Sequence, residues 1–150
     1  GPDHGAAGGP KTEPTTLNAM QHAVFGLNDA GYPYLVAADG STLLGYAYAN
    51  VYRTRPAYRF TVEDSVYVAA DATGRGVGRA LLAALIEQCT QRGYQQMLAV
   101  IGDSANAASI GLHRACGFAL IGTLHAVGFK FDRWVDSVIM QRELGPPVAS

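Results

Sequence analysis

The chain has 150 residues, a mass of 15.8 kDa, 49% hydrophobic residues and a net charge of −1. A chain of that length buries about two-thirds of its unfolded surface, enough for one domain core. Charges of both signs are dispersed, so there is no basic stripe for nucleic acid and no polybasic membrane segment, and no apolar run approaches the roughly 18 residues of a spanning helix. The expected partners are small molecules or a second copy of the chain. Cys89 and Cys116 have neither metal-ligand spacing nor a disulfide framework, so no metal is expected and a reducing cytoplasm is.

In chain order, residues 1–11 are Gly-rich, contain proline and almost lack apolar side chains, which marks a disordered leader or a protease-cleavage remnant. Residues 12–145 are expected to form the domain and 146–150 a tail. Leu17, Met20, Val24 and Leu27 recur at helical spacing after Thr15 and Thr16, which can cap, and Gly31 with Pro33 ends that helix. Strands over 34–38 and 43–49 flank the hairpin signal Asp39-Gly40-Ser41, and a third runs over 59–68 after a loop carrying Pro56. A helix over 76–92, a strand over 96–101, a helix over 105–115 and strands near 118–127 and 134–143 follow. The fold class is α/β: a mixed sheet, antiparallel in its first half, parallel in its second through the crossover helices, with helices on both faces.

The segment from Ser65 to Leu82 reads as a strand, a glycine-rich turn and a helix, an order that makes an anion site. Glycines let backbone approach a ligand closely, and the N–H groups and positive dipole of the first helical turn face the loop. The phosphate loop of NTPases needs a lysine and a hydroxyl residue after its last glycine, and none follows Gly78 in register. The dinucleotide fingerprint Gly-x-Gly-x-x-Gly has Arg79 where Gly74 and Gly76 call for a third glycine. Downstream, Met97-Leu98-Ala99-Val100-Ile101 is a buried-strand run, and a short helix after Asn106 closes with Gly117 where a left-handed cap belongs.

Arg75-Gly76-Val77-Gly78 after a strand, with Leu81, Leu82 and Leu85 on the next helix, resembles the pyrophosphate loop of the GNAT superfamily of acyl-CoA-dependent N-acetyltransferases. Thr73 stands where that pattern has Gln or Arg. Asn106-x-x-Ser109-x-x-Leu112-His113-x-x-x-Gly117-Phe118 is similar to the family's second CoA segment, in the right order and spacing. Arg53 to Val68, Ala99 to Gly102 and Gly122 to Trp134 resemble the phosphinothricin and methionine sulfoximine N-acetyltransferases, which acetylate the α-amine of certain amino acids. Members of that family begin with a strand and a helix ahead of the segment that Glu13-Pro14 resembles, and residues 1–11 do not match them.

The resemblance implies acetyl-CoA as co-substrate and direct transfer in a ternary complex, with the sheet splayed to admit pantetheine and a homodimer as the assembly. It implies Val66, Tyr67, Val68, Thr73, Gly74, Arg75, Gly76, Val77, Gly78 and Arg79 around the cofactor, with Asn106 and Ser109 on its arm. It implies Glu63 as general base and His113 as the group facing the thiolate, where an ordinary imidazole donates near neutrality. Carbonyl polarisation falls to a backbone N–H near Val68. Arg55 and Tyr58 are placed to hold an amino-acid carboxylate, and Phe131 and Trp134, with Phe129, to wall the acceptor. Two rivals are a catalytically silent CoA-binding domain and a dinucleotide-binding oxidoreductase suggested by Gly74 to Gly78 with Asp103. The second fits poorly, because one βαβ unit behind antiparallel strands cannot make paired mononucleotide halves.

Overall fold

A computed structural model describes residues 12–18 and 21–145; the leader, Met20 and the tail named above lie outside the described residues. The chain divides into two compact units, one of residues up to Asn50 with Ser65–Arg92, the other of Val51–Asp64 with Gly93 onward.

In the first unit β1 (Thr12–Asn18), β2 (Gln21–Leu27), β3 (Pro33–Asp39) and β4 (Thr42–Val51) pair antiparallel in sequence order. The helix expected over Leu17 to Leu27 is therefore replaced by two antiparallel strands, Leu17 falling in β1 and Val24 and Leu27 in β2. Cross-strand packing decided against the helical spacing. Gly26 lies opposite Tyr34 so closely that an added Cβ would run into the tyrosine ring. Phe25, 6% exposed, lies opposite Leu35 with the Arg92 guanidinium 5.2 Å from its ring centroid. A glycine in a helix interior would cost about 1 kcal/mol, whereas beside Tyr34 it is required.

The hairpin signal held: β3 and β4 meet through Gly40, at φ 61°. Helix α1 (Val77–Gln91) buries Val77, Leu81, Leu82, Leu85, Ile86 and Cys89, a one-sided stripe, and packs on β3. Each fully buried aliphatic side chain there contributes about 1.5–3 kcal/mol of transfer free energy.

Strand β5 (Thr61–Val68) begins in the second unit and ends in the first. It starts two residues later than the sequence pattern suggests, because Pro56–Tyr58 forms a 3-10 turn that Arg59 closes by donating to the Pro56 carbonyl. In the second unit β5 pairs in parallel with β6 (Gln96–Ile101) through Thr61–Gln96, Val62–Met97 and Glu63–Leu98. Helix α2 (Ala107–Ala115) follows, then β7 (Ala119–Lys130) and β8 (Arg133–Glu143).

The expected parallel second half is correct only for β5 and β6. Strand β8 lies between β6 and β7, antiparallel to both. The crossover through α2 does give β7 the direction of β6. A two-residue turn at Phe131-Asp132, with φ 53° and 58°, then returns the chain as β8 into the space between them. The result is a mixed sheet, antiparallel with one parallel pair, flanked by helices.

Candidate active site

The glycine loop is built within the first unit. After the 3-10 turn Ala70–Ala72, the Thr73 hydroxyl donates to the Ala70 carbonyl at 3.1 Å. Gly74 and Gly76 take left-handed backbone angles, φ 79° and 77°, and Gly76 is the N-cap of α1 with no side chain closing the helix end. The first helical return bond is from Ala80 N–H to the Gly76 carbonyl, 3.0 Å, so the N–H groups of Val77 and Gly78 lie ahead of it. A Cβ at Gly74 or Gly76 would meet no atom within 4 Å. The backbone angle, with open space before it, is what calls for glycine, and that suits a diphosphate laid against the helix start. Arg75 is exposed beside the loop.

Alternation along β5 sends Tyr67 away from Val66 and Val68, and its ring stacks on Tyr46 at 5.1 Å. Gly45 permits this approach, since a Cβ there would sit 2.5 Å from the Tyr67 carbonyl.

The second unit holds the proton-transfer candidates. Glu63 and Asp64 are successive strand residues and so face opposite sides of the sheet. Glu63 is half-buried; burial first, then the charge of Asp64, pushes its carboxyl above the ordinary value, and Arg53 only partly opposes them. Asp64 is buried, and its Oδ1 lies 2.8 Å from His113 Nε2. The other imidazole nitrogen, Nδ1, lies 2.8 Å from the Ser109 carbonyl, and Phe118 packs edge-on against the ring. Burial alone would lower the His113 pKa. The hydrogen bond and charge of Asp64, with the Ser109 carbonyl, raise it above the usual value.

His113 therefore sits on Asp64's side of β5, across the sheet from Glu63, with both nitrogens engaged. Donation to a thiolate would mean releasing one of those bonds. Asp64 is the residue that the sequence reading missed. Its signal was a carboxylate in the buried register of a strand, between Val62 and Val66, where burial demands a partner. Asn106 caps α2, its Oδ1 accepting from Ser109 N–H at 3.2 Å.

Arg55 is exposed and caps the 3-10 turn, where its carbonyl accepts from Tyr58 N–H at 3.0 Å. Tyr58 meets Tyr52 edge-on at 5.9 Å, and the Arg53 guanidinium lies over Tyr52. The expected aromatic trio is only a pair. Phe129 and Trp134 lie opposite each other across the β7–β8 hairpin, 4.9 Å apart, whereas Phe131 occupies the turn itself and is 84% exposed. Asp103 is committed to structure, accepting from Ala105 N–H and pairing with Arg133 at 2.6 Å. Among the described residues no group of three His, Cys, Asp or Glu side chains gathers as metal ligands, and no helix is long and apolar enough to cross a membrane.

The profile of the acetyltransferase (GNAT) family matches residues 7–118. Over 116 residues the chain is 61% identical to the phosphinothricin N-acetyltransferase of Alcaligenes faecalis, a match covering 77% of this chain and 59% of that protein. Over 117 residues it is 50% identical to an L-methionine sulfoximine/L-methionine sulfone acetyltransferase of Pseudomonas aeruginosa, covering 77% of this chain and 67% of that one. A GNAT superfamily phosphinothricin acetyltransferase from Sinorhizobium meliloti, solved with AcCoA, superposes with a TM-score of 0.75 at 52% identity, over 80% of this chain and 65% of that chain. The chain thus spans well under two-thirds of the length of the Alcaligenes relative.

Proposed function

Since the chain belongs to the GNAT acetyltransferase family, we propose that it carries an acetyl-CoA-dependent N-acetyltransferase activity toward the α-amine of an amino acid or analogue of the methionine sulfoximine or phosphinothricin type. The observation that carries this reading is the pair of left-handed glycines, Gly74 and Gly76, opening onto the uncapped start of α1. That cradle offers backbone N–H donors and a helix dipole to the diphosphate of CoA. The acceptor class rests on the named relatives, which are 50–61% identical.

In the reaction Glu63 takes a proton from the substrate ammonium. The freed amine attacks the thioester carbonyl, the C–N bond forms, the C–S bond breaks, and CoA leaves as thiolate to be protonated from solvent. A carboxyl whose pKa is raised by burial and by the charge of Asp64 accepts that proton more readily than an ordinary glutamate. The Val68 backbone N–H polarises the carbonyl. Arg55 holds the substrate carboxylate, with Tyr58 beside it, and Phe129 with Trp134 borders the acceptor side chain.

The active assembly is a homodimer formed through the β7–β8 hairpin, whose Ile121, Leu124, Val127, Phe129 and Trp134 are each more than half exposed. The compartment is the cytoplasm, which suits free thiols at Cys89 and Cys116.

The test is thermal denaturation with acetyl-CoA or NAD, followed by turnover with methionine sulfoximine, phosphinothricin, methionine, methioninamide and lysine. Stabilisation by acetyl-CoA and faster turnover of the free amino acids than of methioninamide are expected. Stabilisation by NAD alone removes the reading, and acetyl-CoA binding without turnover of any amine leaves a silent binding domain.

A further inference from the structure

Hydrogen bonding calls for two protons on the Asp64–His113 pair. The Ser109 carbonyl can only accept, so His113 Nδ1 carries hydrogen. Nε2 then faces a carboxylate oxygen at 2.8 Å, a distance that requires a proton between the two. Asp64 Oδ2 is buried and makes no hydrogen bond, so His113 is what compensates that carboxylate. The arrangement differs from the Ser-His-Asp triad, in which the aspartate holds Nδ1 and leaves Nε2 for chemistry; here Nε2 is the nitrogen that is spent.

The same bonds continue along α2. Asp64 Oδ1 holds His113 Nε2, His113 Nδ1 donates to the Ser109 carbonyl, and the Ser109 N–H donates to Asn106 Oδ1. We infer that Asp64 is a positioning residue: through a protonated His113 it ties the start of α2, with Asn106 and Ser109, to strand β5 beside Glu63. The consequence for catalysis rests on the acetyltransferase reading, in which Asn106 and Ser109 meet the pantetheine arm. The tie itself does not rest on that reading. The charged group acting on His113 is Asp64 from β5; Glu63 lies on the other face of that strand, and Phe118 contributes an uncharged ring edge.

The test joins a spectroscopic and a kinetic measurement on the wild-type protein, Asp64→Asn, His113→Gln and the double variant. Imidazole nitrogen NMR should show His113 keeping both N–H protons to a midpoint above 6.5 in the wild type, with the midpoint falling below 6.5 in Asp64→Asn, where only the Ser109 carbonyl still opposes burial. A wild-type His113 that titrates below 6.5, or a midpoint that Asp64→Asn leaves in place, overturns the inference even if the variants fold poorly, since the first is read on the wild type alone. In kinetics each single variant should raise KM for acetyl-CoA by roughly tenfold, with the double variant no worse than either single one, as befits residues in one network. The acid limb that Glu63 gives to kcat should persist in every variant, moved to lower pH in Asp64→Asn, where one of the charges that raises it is gone. Additive losses, or a loss confined to kcat, overturn the positioning role. If no acetyl transfer is found, the NMR midpoints still decide whether the tie exists, which separates this inference from the functional one.

Discussion

At Glu63 two readings of one carboxylate give opposite signs. Burial and Asp64 raise its pKa, so its folded-state preference is for the neutral form. The favourable contribution is fully present below the unfolded pKa near 4.5 and is lost as pH rises through the folded value. Glu63→Gln should therefore melt slightly higher than the wild type at pH 7, with the gap closing in acid, while turnover falls by about 10²–10⁴-fold. Melting curves and pH–rate profiles of both proteins check this; a lower melting temperature at pH 7 with unchanged turnover would make Glu63 a structural residue. His113 obeys the same sign rule from a different cause. Its paired imidazolium stabilises the fold below pH 6.5, and that contribution fades as pH rises through the raised value. Glu63 could be singled out in the sequence as the expected base because the motif that carries it is contiguous. Asp64 was not, because its meaning depends on a histidine 49 residues away that only the fold brings to it.

Among the elements, α1 and its loop were the most legible, since heptad-like spacing and glycine placement are local signals. Leu85, fully buried in α1, should cost about 2–5 kcal/mol on replacement by alanine, measured by denaturant titration, with no change in the acetyl-CoA affinity of the folded fraction. Gly76→Val should do the reverse. Its φ of 77° is unfavourable for a β-branched residue by at least about 1–2 kcal/mol, and the side chain would stand in front of the helix start, so the thermal shift given by acetyl-CoA should vanish. A full shift in Gly76→Val would remove the loop from the binding site. Strand β2 and the insertion of β8 were misread for one reason. Spacing reports which residues want burial, but pairing with β3, or entry between β6 and β7, is decided by residues distant in sequence, such as Tyr34 against Gly26.

For the whole molecule the testable quantity is assembly. Replacing Phe129 and Trp134 together by lysine should leave the hairpin paired through its backbone and shift sedimentation toward the monomer; an unchanged sedimentation coefficient would move the interface elsewhere. These two residues were visible in the sequence as an aromatic group, but their exposure was not, because nothing local distinguishes a core aromatic from one on a hairpin surface.

The break in β7 bears on how far such association can run. Between Leu124 and Gly128 the β7–β8 register shifts, Ala126 takes a φ of 54°, and the Asp136 carboxylate accepts the Ala126 N–H at 2.9 Å. Strand β7 is last in the sheet order, and among the described residues it pairs with β8 alone. A long flat outer strand would template further strands without end, and a pinned kink in its middle denies them a straight edge. If copies of the chain associate through this hairpin, the kink that Asp136 and the Ala126 amide hold in β7 leaves that edge no straight template for a further strand, which favours a closed pair over an open array there.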